Sequence, residues 1–216
     1  MILLLLAVLS AAAAPPPPLI SVMDEYGRQR SMAEFRGSPV LLAPMYAHCP
    51  LACPMIARGL KKGLAQSSAS PTSYRVILFS FDPRDTPADL QLFRDRQQLP
   101  LSWTIVRANN SADAHRFLDA LGYRYADTNG LFNHLNAVVA LTPHLQPAKF
   151  LLGTSYRGRD IDDALRVASG RRDWIGRYGG FLLAFFLFLA LLSMIYIVTS
   201  LRTDDRGPRT TQYNRA

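Results

Sequence analysis

The stretch FLLAFFLFLALLSMIYIVTS, residues 181–200, carries no charged side chain, and this limits what the rest of the chain can build. At about 1.5 Å of rise per residue, a helix of this length covers the roughly 30 Å hydrocarbon layer of a bilayer. A helix buried in a soluble core would show polar residues along one face, and this stretch has no such face. Trp174 and Tyr178 before it and Arg202 after it are suited to the membrane interface. The reading is a membrane-spanning helix over 181–200, a juxtamembrane segment over 173–180 and a polar tail over 201–216. Whatever folds in water lies upstream.

The amino-terminal run MILLLLAVLSAAAA reads as a signal peptide over 1–14, with an apolar centre and small residues Ala12 and Ala14 at the spacing preferred for cleavage. Its first residues include no Lys or Arg, which leaves a misassigned start or an uncleaved anchor as the alternatives. Pro15–Pro18 then reads as a linker. Arginines flank residues 181–200 about equally on both sides, so the leader decides orientation. It predicts a single-pass protein of the bacterial inner membrane. The folded domain, residues 19–172, faces the periplasm or cell exterior, and the short tail is cytoplasmic. The formal charge of +8 includes no basic run interleaved with aromatics. It is read as charge beside a membrane, with no nucleic acid as partner.

Between the two apolar ends, strand and helix signals alternate. LISVMDEYGRQRSMAEF predicts a short hairpin-like entry turning at Gly27. PVLLAPMYA reads as a strand, and PMIARGLKKGLAQ as a helix with Ile56, Leu60 and Leu64 on one face. RVILFSFD fits a strand buried on both sides. Thr86 and Pro87 supply a cap and a first-turn proline for PADLQLFRDRQQ. SWTIVRA is another strand, and SADAHRFLDALG a helix stopped by Gly122. Two further strands in NAVVALTPHLQPAKFLLG and a helix in DIDDALRVAS finish the domain. The order predicts an α/β fold with a mainly parallel sheet covered on both faces, finished by an antiparallel hairpin and a helix. That suits a thioredoxin-like fold with an inserted strand-helix unit.

The only two cysteines, Cys49 and Cys53, sit in YAHCPLACPM, where the first core strand gives way to a helix. With Pro54 as the first helical residue, Cys53 is expected at the helix amino terminus, where free N–H groups and the dipole favour a thiolate. Such a pair can close as a disulfide or hold a soft metal. Two thiolates do not complete a typical transition-metal site, so the histidines become candidates. His115 falls on a polar helical stretch and His144 in a turn, and both read as surface residues. His48 adjoins Cys49, but a sequence neighbour often points away from the site. His134 lies in a predicted loop before a strand.

HCPLACP, FSFDPRDTP and FNHLNAVVALTP resemble, in this order, the three signatures of the Sco/SenC family, and DEYGRQRSMAEFRGSPVLL is similar to that family's opening segment. The likeness covers roughly Leu19–Ser169. It implies a membrane-anchored thioredoxin-like domain that binds copper, as Cu(I) or Cu(II), through Cys49, Cys53 and His134. It implies assistance in assembling the dinuclear copper centre of cytochrome c oxidase, with the copper-site subunit of that oxidase as partner. A periplasmic thioredoxin-like reductant or another copper chaperone would serve the same chain. Asp82, Arg84 and Asp85, at the end of the buried strand, are expected around the site, with a cap and turn network as the alternative role. The chain departs from the family's usual pattern in three places. DPRDTP is one residue shorter than the commoner loop, Asn133 stands where an aspartate is usual, and the anchor lies at the carboxyl end. Asn133 is expected to alter affinity or the preferred oxidation state.

Two other functions use the same cysteines. A thiol–disulfide reductase acting on an oxidase subunit or another exported protein needs Cys49 and Cys53 but no histidine ligand. A binding domain with a permanent disulfide leaves His134 without a task.

Overall fold

The computed structural model describes residues 16–128, 131–170 and 174–204. The expected signal peptide, Arg171, Arg172 and most of the tail lie outside these. The chain divides into two compact units, Met1–Arg171 and Arg172–Ala216.

The first unit opens with the hairpin anticipated at Gly27. Strands β1 (Ser21–Asp24) and β2 (Gln29–Ser31) pair antiparallel. Gly27 holds φ 78°, a conformation that glycine adopts without a Cβ clash. The buried Asp24 carboxylate organises the turn by accepting from the N–H groups of Tyr26 and Arg28 and from Arg28 Nε. Pro17, within the expected linker, is buried against this unit.

Three strands with near-continuous apolar sequence form the centre: β3 (Val40–Met45), β4 (Arg75–Ser80) and β5 (Thr104–Ala108). They pair in parallel, and all six residues of β3 are buried. Four α-helices accompany them among the described residues, α1 (Ala52–Ala65), α2 (Pro87–Gln97), α3 (Ser111–Ala120) and α4 (Gly158–Ala168), with a 3-10 turn at Met32–Phe35. Thr86 caps α2 in a reciprocal box with Asp89, with Pro87 in the first turn, and Gly122 takes φ 77° just past α3.

The closing antiparallel hairpin is as expected, but the rest of the sheet is less parallel than expected. Strands β8 (Ala137–Leu141) and β9 (Pro147–Leu152) join beyond β3, and β1 and β2 join beyond β5, giving the order β2-β1-β5-β4-β3-β8-β9. Only the β3–β4 and β4–β5 pairings are parallel. β1 runs antiparallel to β5, and β8 to β3. A short turn can join only antiparallel strands, and both ends of this sheet are hairpins.

Two contacts hold α1 and α2 in place. A Cβ added at Gly59 would lie 2.0 Å from the Thr154 carbonyl oxygen, so the chain after β9 crosses α1 at backbone contact. On α2, the buried Arg94 guanidinium pairs with buried Glu25 at 2.5 Å and donates to the carbonyls of Pro100 and Trp103.

A second, two-stranded sheet stands apart from the first: β6 (Tyr125–Thr128) and β7 (Leu131–His134), paired antiparallel. His134 therefore ends a strand, where a loop was expected. The sequence signal for it is Asn129-Gly130, a pair that favours tight hairpin turns.

The second unit contains α5 (Trp174–Asp204), a continuous helix of 31 residues that takes in the expected juxtamembrane segment. Its stretch Gly180–Ile197 has a mean hydropathy of 2.6, none of it is buried, and it is long and apolar enough to cross a membrane.

Candidate metal centre

Strand β3 delivers the chain to the cysteine loop, and a buried carboxylate fixes the loop there. Asp85 accepts from the Ala47 N–H at 2.7 Å, from Ser80 Oγ at 2.5 Å and from His48 Nδ1 at 3.1 Å. Burial pushes the Asp85 pKa up, against the pull of these hydrogen bonds. The His48 ring is mostly exposed and also lies 3.4 Å from Asp89, so it is engaged with two carboxylates and not with the sulfurs.

Helix α1 begins two residues earlier than expected, after Leu51, which makes Pro54 its third residue and puts Cys53 inside the first turn. Proline is tolerated there because first-turn N–H groups have no partner within the helix. The Cys53 N–H donates instead to Cys49 Sγ at 3.3 Å. The helix terminus thus favours the thiolate of Cys49, whereas Cys53 was the residue expected to gain. Cys49 is held far below the ordinary thiol pKa, chiefly by a hydrogen bond from the Cys53 thiol. Burial opposes this, and the His134 ring and the N–H groups of Cys53 and Leu51 assist it. The same bond to Cys49 pushes Cys53 up, as do its burial and the neighbouring negative charge. Both residues are buried and free of a disulfide.

His134 reaches the sulfurs from β7. The ligand atoms of Cys49, Cys53 and His134 all lie within 4.8 Å of one another. His134 Nδ1 is 3.1 Å from the Leu135 carbonyl and 3.0 Å from Tyr123 Oη, and the Tyr123 hydroxyl donates to the same carbonyl at 2.6 Å. A carbonyl can only accept, so Nδ1 carries a proton and Nε2 is left as the ring's donor atom. Burial alone would lower the His134 pKa, but the hydrogen bonds to Cys49 and the Leu135 carbonyl turn the net shift upward.

Aromatic rings surround this imidazole. Phe81 is 5.5 Å away and Tyr46 6.2 Å, centroid to centroid, and Phe132 packs edge-on against both. Burial first, and then the charge of Cys49, pushes the Tyr46 phenol up to about 12. The sequence reading did not include Tyr46, Phe81, Tyr123 or Phe132. Tyr123 and Tyr125, then Phe132 and His134, alternate as an inward strand face does, and this was the available signal.

Arg84 forms a two-point pair with Asp82 at 2.8 and 2.9 Å. Its guanidinium lies 5.6 Å over the Phe132 ring and 4.0 Å from Asp127, so the pair meets the hairpin and not the sulfurs. Asn133 is exposed, on the face of β7 opposite His134. His115 is half-buried and stacks on Tyr125 at 4.2 Å, whereas His144 is exposed.

Residues 20–100 match the family profile described as SCO1/SenC. A mitochondrial SCO2 homolog from Bos taurus is 30% identical over 130 residues, which cover 57% of this chain and 48% of that protein. The chain thus spans about half the length of that relative. The crystal structure of a putative electron transfer protein from Aquifex aeolicus VF5 matches with TM-score 0.66 and 34% identity, covering 73% of this chain and 92% of the other. That of Arabidopsis thaliana ScoI with copper bound matches with TM-score 0.58 and 16% identity, covering 69% and 94%. The last likeness is one of fold.

Proposed function

Since the chain belongs to the SCO1/SenC family, we propose that it is a membrane-anchored copper chaperone. It carries one copper ion as cargo on Cys49, Cys53 and His134 and assists assembly of the dinuclear copper centre of cytochrome c oxidase. One observation carries the reading: two sulfurs and one imidazole nitrogen converge within 4.8 Å at the boundary of a buried strand and a helix. Thiolates are soft donors that suit Cu(I), and an added imidazole lets the same set accept Cu(II). Three protein donors leave room for a ligand from the receiving protein. Cys49 offers a thiolate before metal arrives, and Cys53 gives up its proton on binding. Asp85 holds the loop under the sulfurs, Asp82 and Arg84 hold the hairpin, and the exposed Asn133 acts on the receiving partner more than on the imidazole.

Residues 19–172 form the copper domain and α5 its tether. With the leader read as an export signal, the domain works outside the cytoplasm of a bacterial cell. There it meets the oxidase subunit that receives copper, and a reductant that keeps the cysteines open.

The test is His134→Ala in the reduced full-length chain. Copper affinity falls by more than the roughly 10–100-fold of changes to groups that only touch a ligand, and Cu(II) suffers most because two thiolates still suit Cu(I). An unchanged Cu(II) spectrum and affinity would overturn the ligand set. The unequal thiols favour a second reading, a thiol–disulfide reductase in which Cys49 attacks and Cys53 resolves. A wild-type chain that binds no copper yet reduces partner disulfides would put that reading first.

A further inference from the structure

The cysteine loop has a second open side. A groove of about 380 Å³ runs between the loop and α2, with Cys49, Pro50 and Pro54 along one wall and Leu92, Phe93 and Arg96 along the other. Cys53 and His134 do not line it, so Cys49 is the one member of the candidate centre that reaches both the centre and the groove.

The groove's length follows from α2. Asp89, Phe93 and Arg96 are spaced i, i+4, i+7, which places them on one face of the helix over about 10 Å. At the Asp89 end, the bond from His48 ties the helix to the cysteine loop. At the Arg96 end, the Arg58 guanidinium donates to Gln97 Oε1 at 2.7 Å and ties α1 to α2. Phe93 is buried beneath, Leu92 is 45% exposed, and the prolines opposite offer no competing side-chain polarity. The two basic side chains on the walls differ. His48 is occupied by Asp85 and Asp89, whereas Arg96 is exposed and has no ion-pair partner among the described residues.

We propose that this groove receives an extended segment of a partner protein, with a cysteine at Cys49 and a carboxylate side chain at Arg96; a spacing of about three residues matches the roughly 10 Å of α2 that lines the groove. The inference rests on the proposed function and on geometry: Cys49, whose sulfur accepts the Cys53 N–H, is the cysteine of the centre that lines the groove, and the proposal names the chemistry of the segment that reaches it. Apolar contact with Leu92 and the prolines supplies adhesion, and the Arg96–carboxylate pair sets register and preference.

The experiment uses the full-length chain in detergent, reduced and copper-free. The probes are synthetic peptides whose single cysteine is disulfide-linked to 2-nitro-5-thiobenzoate, with Glu, Gln or Lys three residues away on either side. The Cys49 thiolate attacks the peptide sulfur, the old S–S bond breaks, and the coloured thiolate leaves with its electron pair. Cys53 then loses its proton and attacks Cys49, releasing the peptide thiolate and leaving the Cys49–Cys53 disulfide, so two electrons pass to the probe. The Glu peptide reacts about three- to tenfold faster than the Lys peptide, and added salt shrinks the difference. Arg96→Glu inverts the order, yet leaves unchanged both the copper content of the loaded chain and the rate with a small neutral probe made from 2-mercaptoethanol. Equal rates for the three peptides would overturn the proposal. So would an unaltered order in Arg96→Glu, or an Arg96→Glu effect confined to self-association of the chain. Copper content is read separately, so loss of peptide preference with copper retained removes only this proposal. Preference without copper keeps the groove and removes the chaperone reading.

Discussion

Cys49 and Cys53 follow an interior strand of a seven-stranded sheet, at the loop and first helical turn after β3, whereas His134 stands on a two-stranded hairpin that shares no strand with it. The sulfur half is braced by main-chain contacts and buried charge: Asp85 under the loop, Thr154 against α1, and Glu25–Arg94 behind α2. The nitrogen half is braced by rings and by one tyrosine hydroxyl. The difference teaches that the thiol pair is part of the folding core, and that the imidazole is brought to it by an accessory element. Damage to the first half costs the fold and the site together. Damage to the second costs the site alone.

The most disruptive way to probe the sulfur half is Arg94→Met, which leaves the Glu25 carboxylate buried without its partner. Breaking a buried pair from one side costs about 3–5 kcal/mol, and chemical denaturation should register a loss of that size. Gly59→Ala comes next. Its Cβ would press on the Thr154 carbonyl, and overpacking of this kind costs about 1–3 kcal/mol, read as a lowered Tm. If either variant keeps wild-type stability, α1 and α2 are not the frame on which the cysteines depend.

Tyr123→Phe sharpens the other half. It keeps the buried ring and removes the hydroxyl that touches His134 Nδ1 and the Leu135 carbonyl. Copper affinity should fall by about 10–100-fold, while stability changes by about 1 kcal/mol. A large loss of stability with affinity intact would make the hairpin a folding element after all.

The smallest effect is one of protonation. Because the Cys49 pKa is lowered and that of Cys53 raised, the reduced, copper-free chain should carry one thiolate at neutral pH. It loses that thiolate only on strong acidification, and it gains a second only above the ordinary thiol value of 9.0. Ultraviolet thiolate absorbance against pH measures this. His134→Ala removes one of the donors that favour the Cys49 thiolate, so its protonation should move to higher pH. Two thiolates appearing together near the ordinary value would contradict the asymmetry.

The sulfur half was also the half that could be read in the sequence. Continuous apolar strands, the Thr86–Pro87 cap and the glycine after α3 are local signals, and the structure carries each of them. Strand direction is not local: both hairpins were expected, but each also joins the central strands antiparallel, β1 to β5 and β8 to β3, so the sheet is mixed where it was expected to be mainly parallel. The choice of Cys49 as the favoured thiolate was also hidden, since it depends on which sulfur accepts the helix N–H. The hairpin escaped because YRYADTNGLFNH mixes charged and aromatic residues, and its inner face packs on Phe81, which is distant in sequence. Tyr123 could not be assigned to His134 without that packing.

The central claim, one copper held jointly by the two halves, is tested most directly by copper X-ray absorption on the loaded full-length chain. The account predicts one copper per chain, with two sulfur neighbours and one imidazole nitrogen that disappears in His134→Ala. A copper shell without sulfur, or one identical in wild type and His134→Ala, would contradict it.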